Sequence, residues 1–362
     1  VYTPVSVSAN PTGTTVCENS NASFSVTAAG TTPVYQWQVS TNGGVTFTNI
    51  TNGGVYSGAT TATLNLVGVA FSLNNAQYRC IVNGTAPCGF VNSGTATLLV
   101  NPAPALVNIT GGGAYCIGGN GVPVGLNNSA IGINYQLLLN GVNSGTAVPG
   151  TGVALSFGNK TVAGTYTVMA SNAVTGCTQA MTGSVIVAIN PLPTIALSAA
   201  PYTSLYPGLT TTLTAAATSS ATPISYFWFK NNTPISNSGS TLAVNITGVG
   251  DYRVAVTDGN GCSNQSQVVT IKDSANGKLF IYPSPNNGQF NITYYNQGGA
   301  SVKRIVTIFS TKGEKVYSNE FQITQVYQVI KIDMRRNGAG IYHVVLSDAS
   351  GNTLKSGEVL VR

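Results

Sequence analysis

The stretch Tyr35-Gln36-Trp37-Gln38-Val39-Ser40-Thr41-Asn42-Gly43-Gly44 decides the fold. An aromatic, strand-forming run enters a polar turn closed by two glycines, the pattern of a β-strand leading into a hairpin. Its opening, Val34-Tyr35-Gln36-Trp37, returns as Ser225-Tyr226-Phe227-Trp228, with Asn134-Tyr135-Gln136-Leu137 between them. A second signature comes after each of these: Gln77-Tyr78-Arg79-Cys80, Gly164-Thr165-Tyr166-Thr167-Val168 and Gly250-Asp251-Tyr252-Arg253-Val254. The linker Asn101-Pro102-Ala103-Pro104 is repeated as Asn190-Pro191-Leu192-Pro193. Self-similarity at a steady period marks a repeat protein. The chain therefore reads as all-β, with three tandem sandwich-sized repeats at 1–101, 102–190 and 191–272 and a different segment at 273–362.

Composition supports this reading. Strong helix formers are scarce while Thr, Val, Ser, Asn and Gly dominate, which favours strands and turns. Only 7% of the 362 residues are charged, yet no apolar run reaches the ~18 residues of a spanning helix. Residues 1–272 carry five basic and three acidic side chains, and residues 273–362 carry ten and six, so the last segment holds +4 of the net +6. Nucleic-acid binding needs clustered Lys and Arg that track phosphates; the repeats have no such cluster and the last segment mixes its signs. The chain starts at Val1 with no signal peptide, so the expectation is a removed signal or further domains upstream.

Cysteine positions repeat as well. Cys88, Cys177 and Cys262 fall ten or eleven residues after Tyr78, Tyr166 and Tyr252, in or just past the last hairpin of each repeat. Cys17 and Cys116 precede the strand residues Phe24 and Val124, and Tyr206 holds that place in the third repeat. This predicts bridges Cys17–Cys88 and Cys116–Cys177, with Cys262 unpaired. The alternative is Cys17–Cys80, since Cys80 shares the parity of Tyr78 and Val82 and points inward beside Trp37. Paired cysteines imply an oxidising compartment. They lie too far apart, without histidines, to read as a metal site.

No residues assemble for catalysis. The one histidine, His343, stands in a strand that directs Ser347 and Asp348 away from it or to the other face. Glu18, Asp251 and Asp258 are the only acids in the repeats, too few for a glycosidase carboxylate pair. Asp258-Gly259-Asn260-Gly261 reads as a hairpin turn rather than a calcium loop. The expectation is no enzyme, no cofactor and no metal. Trp37 and Trp228 read as core residues rather than a sugar-stacking platform.

A Trp on a middle strand and a Tyr late in each unit resemble the immunoglobulin-like sandwich, specifically the repeats strung along large secreted proteins of Bacteroidota. The last segment resembles the type A C-terminal sorting domain of the type IX secretion system. Three blocks carry the likeness. The first is Tyr282-Pro283-Ser284-Pro285-Asn286-Asn287-Gly288-Gln289-Phe290, with Ser284 where the family usually has Asn. The second is Val306 through Val316 with Gly313, and Ser310 stands near the family's usual Asp. The third runs from Ile332-Asp333 through Gly338-Ala339-Gly340-Ile341-Tyr342 to Gly351-Asn352 and a basic terminal strand with Lys355 and Arg362.

The resemblance implies a smaller C-terminal β-sandwich at 273–362 that acts as an address. The protein would pass through the periplasm and cross the outer membrane by the type IX translocon. A β-barrel shuttle protein would recognise the tail. In many members a sortase-like protease removes the tail, here near Lys272–Lys278, and joins the passenger to surface lipopolysaccharide. Asp273-Ser274-Ala275 resembles the short O-glycosylation signal of the same phylum, which implies modification at Ser274. The expected product is a secreted or surface-displayed structural or adhesive stalk that holds a glycan or other surface ligand. The alternative is the non-catalytic, carbohydrate-binding end of a larger secreted enzyme.

Overall fold

Alternating β-branched and aromatic residues give strands nearly everywhere; among the described residues the only helical pieces are single 3-10 turns, Phe71–Leu73 and Ile246–Gly248. The computed structural model describes residues 3–86, 89–274, 277–296 and 301–362. The chain divides into two compact units, Val1–Ile189 and Asn190–Arg362.

The first unit holds two sandwiches. In the first, one sheet runs Thr14–Cys17, Ala96–Asn101, Gln77–Asn83, Val34–Ser40, Thr48–Asn49, and faces a sheet of Ala22–Ser25, Thr63–Leu66 and Tyr56–Ser57. Trp37, Tyr78, Phe24, Leu64 and Leu98 fill the space between them and are essentially fully buried. In the second, Gly113–Cys116, Val185–Asn190, Gly164–Asn172, Ile133–Leu139 and Val142–Asn143 repeat that strand order, opposite Ile109–Gly111, Val122–Leu126 and Leu155–Lys160. Leu137 occupies the place that Trp37 holds in the first.

The second unit opens with a third copy. Ser204–Leu205, Val269–Asp273, Gly250–Thr257, Ser225–Lys230 and Thr233–Ile235 form one sheet, and Thr194–Ala200, Thr210–Thr218 and Thr241–Asn245 the other. Trp228 is buried and its indole N–H donates to the Gly239 carbonyl at 2.8 Å, as Trp37 does to Thr61 at 2.9 Å. A buried indole needs such an acceptor. The last sandwich packs Leu279–Tyr282, Gln289–Tyr294 and Ile330–Asp333 against Lys315–Ile323, Val302–Ser310, Gly340–Asp348 and Thr353–Val361. Its core is Phe290, Ile292, Val306, Ile308, Val344 and their neighbours. The molecule is thus all-β, a tandem of β-sandwiches.

The recurring Gly-x-Tyr motif has a structural cause. The Tyr166 hydroxyl donates to the Val162 carbonyl at 2.9 Å, and Tyr252 donates to the carbonyl of Gly248, also four residues upstream. Each pins the chain where it enters the strand, the tyrosine corner of immunoglobulin-like sandwiches. Tyr78 departs from this rule and meets the Tyr56 hydroxyl at 3.3 Å instead.

The cysteines pair differently from the expectation. Cys17 is bonded to Cys177, with Cα atoms 5.5 Å apart, so neither Cys17–Cys88 nor Cys116–Cys177 forms. Cys116 and Cys262 are each disulfide-bonded, so Cys262 is not left unpaired. Strand register explains why. Thr14–Cys17 runs parallel to Ala96–Asn101, placing Cys17 beside Asn101 at the linker end of the first sandwich. Ala96 pairs with Tyr78, so the strand Gln77–Asn83 carries its hairpin to the opposite end. About ten residues of strand, roughly 33 Å, separate the two ends, whereas a disulfide needs Cα atoms within about 7 Å. A first cysteine therefore cannot reach the hairpin cysteine of its own repeat, but Cys17 reaches that of the next. Cys88 lies outside the described residues. Cys80 is free and buried, paired across the strands with Trp37, and burial pushes its thiol up to about 11.

Candidate functional site

The first motif block begins as a strand and turns at Pro283 and Pro285, both exposed and both preceded by cis peptide bonds. Asn286 organises this turn. Its side chain donates to the Pro283 carbonyl at 2.9 Å and accepts from the Gly288 N–H at 2.8 Å, closing an Asx turn. Its backbone meanwhile clips the terminal strand: Asn286 N–H donates to Leu360, and Arg362 N–H donates to Asn286, at 2.9 and 2.8 Å. Ser284 Oγ accepts from the Leu360 N–H at 3.1 Å. The serine thus ties down the terminal strand at the position where the family favours asparagine.

Gly288 shows why this turn needs a glycine. Its φ is +95°, and a Cβ would lie 2.8 Å from the Arg335 Cα. Its carbonyl accepts from Met334 N–H at 2.7 Å. The first block therefore touches both the terminal strand and the segment that leads into the third block. Phe290, two residues on, is buried in the core.

The second and third blocks reach the same end of the sandwich. Ser310 pairs with Tyr342, and Gly340 pairs with Val361, so the Ser310–Lys315 hairpin tip and the Gly338–Gly340 entry lie together. Ser310 Oγ accepts from the Lys312 N–H at 3.3 Å, the turn-capping role an aspartate would fill. Tyr342 is buried, and its hydroxyl donates to Gly338 and Asn337 carbonyls at 3.0 and 2.6 Å. It forms a tyrosine corner like those of the second and third repeats. Ile341, beside it, points outward and is 47% exposed.

Not every singled-out residue joins this cluster. Gly351 lies in the turn between Gly340–Asp348 and Thr353–Val361, and Lys355 pairs with Leu346, towards the far end. Tyr282 is half-buried and its hydroxyl meets Thr293 at 3.3 Å. His343 is exposed and faces Glu358 across the strands, 3.3 Å apart. Asn286 and Ser284, both within the first block, and Arg335, between Asp333 and Gly338 of the third, are positioning residues; the Asn286-x-Gly288 spacing is the sequence signal for the role of Asn286.

Electrostatically the motif end is basic. The Asp333 carboxylate takes the Arg335 guanidinium at 2.6 to 3.1 Å and Gln289 at 3.3 Å. Arg335 holds that carboxyl well below the usual range. Arg336, Arg362 and Lys312 are exposed, and among the described residues none has a carboxylate within 4.0 Å.

Residues 280–357 match the model of the secretion system C-terminal sorting domain. This segment is a type IX sorting domain. The protein is exported to the cell surface or released, as such a tail directs. Residues 6–102 match a domain of unknown function (DUF8696). No curated protein matches the chain. Among solved structures, the full ectodomain of mouse nectin-like molecule 4 is 14% identical, covering 73% of this chain and 98% of its own, with a TM-score of 0.33. Sidekick-1 immunoglobulin domains 1-5 are 13% identical over 100% of this chain and 80% of theirs, TM-score 0.27. The N-terminal two-domain module of the Drosophila receptor protein tyrosine phosphatase DLAR is 19% identical over 52% and 99%, TM-score 0.22. Overall superposition with these is poor, and the fold assignment rests on the strands described above.

The sorting domain joins the third repeat through aromatic rings, and the junction extends to Tyr282, whose ring would lie 3.9 Å from a Cβ on Gly208. Tyr206 stacks on Phe280 with centroids 5.3 Å apart and planes 3° from parallel. Phe280 and Tyr295 pack against the core of the third repeat, and Tyr327 is buried within it. The Tyr327 hydroxyl donates to Asp273 at 2.5 Å; burial first, then this carboxylate, pushes the phenol up. The expected cleavage stretch is accordingly less open than its composition implies. Lys272 and Asp273 lie in a paired strand, and Ser274 donates from both its N–H and its hydroxyl to the Leu205 carbonyl, each at 2.9 Å. Ala275, which completes the glycosylation signal, lies outside the described residues.

Proposed function

We propose that the protein is a surface-displayed adhesive stalk, with sandwich repeats at 1–101, 102–190 and 191–272 and a sorting domain at 273–362 that engages a β-barrel shuttle protein of the type IX machinery through its motif end. The observation that supports this most directly is the convergence of three separate sequence blocks and the last three residues on one basic end of the sorting domain. The aromatic docking onto the third repeat uses Phe280, Tyr295 and Tyr327, none of them among the groups at that end. The buried members, Gly288, Phe290 and Tyr342, build the end; Ile341, Arg336, Arg362 and Lys312 present it. A sortase-like protease would then act within 275–278, the part of the junction beyond the paired strand, and transfer the passenger to lipopolysaccharide. Ser274 is the glycosylation site in this reading, and it requires release of the bond to Leu205. The repeats serve as a non-catalytic spacer with adhesive capacity.

Substitution tests this better than truncation. Deleting Lys355–Arg362 removes the core residues Val359 and Val361, so it would unfold the domain whatever its role. Replacing Arg336, Arg362 and Lys312 together with Gln leaves the core intact. The expected outcome is a folded protein retained in the periplasm; normal surface delivery of that variant would refute recognition through the motif end. The adhesive role is tested by displaying the sorting domain with and without residues 1–272, with loss of cell attachment expected on their removal.

A further inference from the structure

The third repeat carries an open aromatic and cationic face that the export function does not use. Phe227 and Phe229 stand two residues apart on Ser225–Lys230, on the side opposite the buried Trp228. Their rings meet edge-on with centroids 5.1 Å apart, and Phe227 remains 52% exposed. On the neighbouring strand the Arg253 guanidinium lies 3.9 Å from the Phe229 ring centroid. Its Nη1 donates to Gln265 Oε1 at 2.6 Å. Register sets the layout: Phe227 pairs with Ala255, which pairs with Gln265. A row of large, small and polar side chains thus crosses three strands, with half-buried Ala255 between Phe227 and Gln265.

The first repeat shows what a closed version of this face looks like. Arg79, at the place of Arg253, lies 4.0 Å from the Phe47 centroid and donates to Gln38 at 2.8 Å. There the phenylalanine comes from the loop after Ser40, and Gln38 is buried and spends its amide on Asn49 at 2.7 Å. In the third repeat the corresponding strands are joined by a tight turn at Asn231 and Asn232, both at positive φ. No loop is long enough there to cover the face. The second repeat has Thr167 in place of the arginine.

We propose that this face binds an acidic pyranose, a uronic acid unit of a surface or matrix polysaccharide. The choice of occupant follows from charge, size and donor pattern. Among the described residues no carboxylate lies within 4.0 Å of Arg253, so its guanidinium has charge and free donors for a sugar carboxylate. Phe227 offers a flat apolar wall to a ring's C–H face, and the Gln265 amide nitrogen is free to meet a hydroxyl. Phe227 and Gln265 stand two strand spacings apart, about 9.6 Å, the width of one substituted sugar ring. A stable protein partner would need about 800 Å² on this side, and polar residues such as Ser263 and Thr257 flank this row instead. A single cation is too little for a nucleic-acid backbone.

The inference rests on the adhesive reading and is tested separately from it. The full chain is run in affinity gels containing polygalacturonate or neutral dextran. Retardation is expected in polygalacturonate alone. It should weaken about tenfold in Phe227→Ala and in Arg253→Gln, fall in high salt, and persist in Arg79→Gln. Both changed residues are surface groups, and an unchanged melting temperature verifies folding. Absence of retardation, equal retardation in dextran, or retardation insensitive to both substitutions overturns the proposal. Self-association that Phe227→Ala abolishes, seen by sedimentation without sugar binding, also overturns it by identifying the occupant as a second copy. If removing residues 1–272 abolishes cell attachment while Phe227→Ala does not, adhesion stands and this site falls. If that removal changes nothing, the adhesive reading falls on its own.

Discussion

The third repeat and the sorting domain both enter a central strand through Gly-x-Tyr, Gly250-Asp251-Tyr252 in one and Gly340-Ile341-Tyr342 in the other. Both tyrosines are buried and bond to a carbonyl four residues upstream. The glycines are not equivalent. Gly250 has φ of +145°, and a Cβ there would lie 2.7 Å from the Asn231 side chain; at Gly340 the nearest atom would be 3.8 Å away. In the repeat the glycine is demanded by the backbone. In the sorting domain the fold makes no such demand, so Gly340 has room to serve recognition while Tyr342 serves the fold.

The largest expected effect lies in the repeat core. Trp228→Ala should destabilise the third repeat by about 3–5 kcal/mol, read by thermal or denaturant unfolding; a loss below 1 kcal/mol would mean that this repeat does not depend on its tryptophan. Next is the glycine pair. Gly250→Ala should cost roughly 1–3 kcal/mol of backbone strain, while Gly340→Ala should stay within about 0.5 kcal/mol. Equal losses would erase the contrast, and an unaltered fold with impaired export in Gly340→Ala would sharpen it. Tyr342→Phe removes the single O–H proton shared between the Asn337 and Gly338 carbonyls, about 1 kcal/mol, and Tyr252→Phe should match it.

The smallest effect is a pH dependence. The Ser219 hydroxyl, then the N–H groups of Cys262 and Asn260, hold the Asp258 carboxyl below its ordinary value in the third repeat. Arg335 does the same for Asp333 in the sorting domain. A depressed carboxylate contributes stability that is present above its unfolded pKa and lost as pH falls through the folded one. Melting temperatures of both domains should therefore hold down to about pH 4 and decline below it. Asp258→Asn and Asp333→Asn should flatten that decline, each in its own domain.

Much of this was legible in the sequence, because strands announce themselves locally. The alternation around Trp37, Trp228 and Phe290 follows from burial on one face, and the turn at Asn286–Gly288 is written in its residue types. What the sequence withheld is which end of a sandwich each turn occupies. Cys17 and Cys177 hold repeated positions that spacing reveals. Their pairing depends on a parallel strand register, and no local pattern encodes that. The convergence of the motif blocks was hidden for the same reason: three blocks far apart in sequence meet only through the Ser310–Tyr342 and Gly340–Val361 registers. The aromatic joint of Tyr206 and Phe280 was likewise invisible, since two exposed-looking rings give no sign that they stack on each other.

The Cys17–Cys177 bond has a mechanical meaning. When the chain is pulled from its two ends, tension enters at residue 17, crosses the sulfur bridge and leaves at residue 177, bypassing the linker at Pro102. The bond holds residues 17 and 177 together whatever happens to the chain enclosed by that 160-residue separation. Even if those sandwiches unfolded, roughly 500 Å of slack would stay locked until the bond was reduced. Under load the first two sandwiches would therefore lengthen little between those two cysteines.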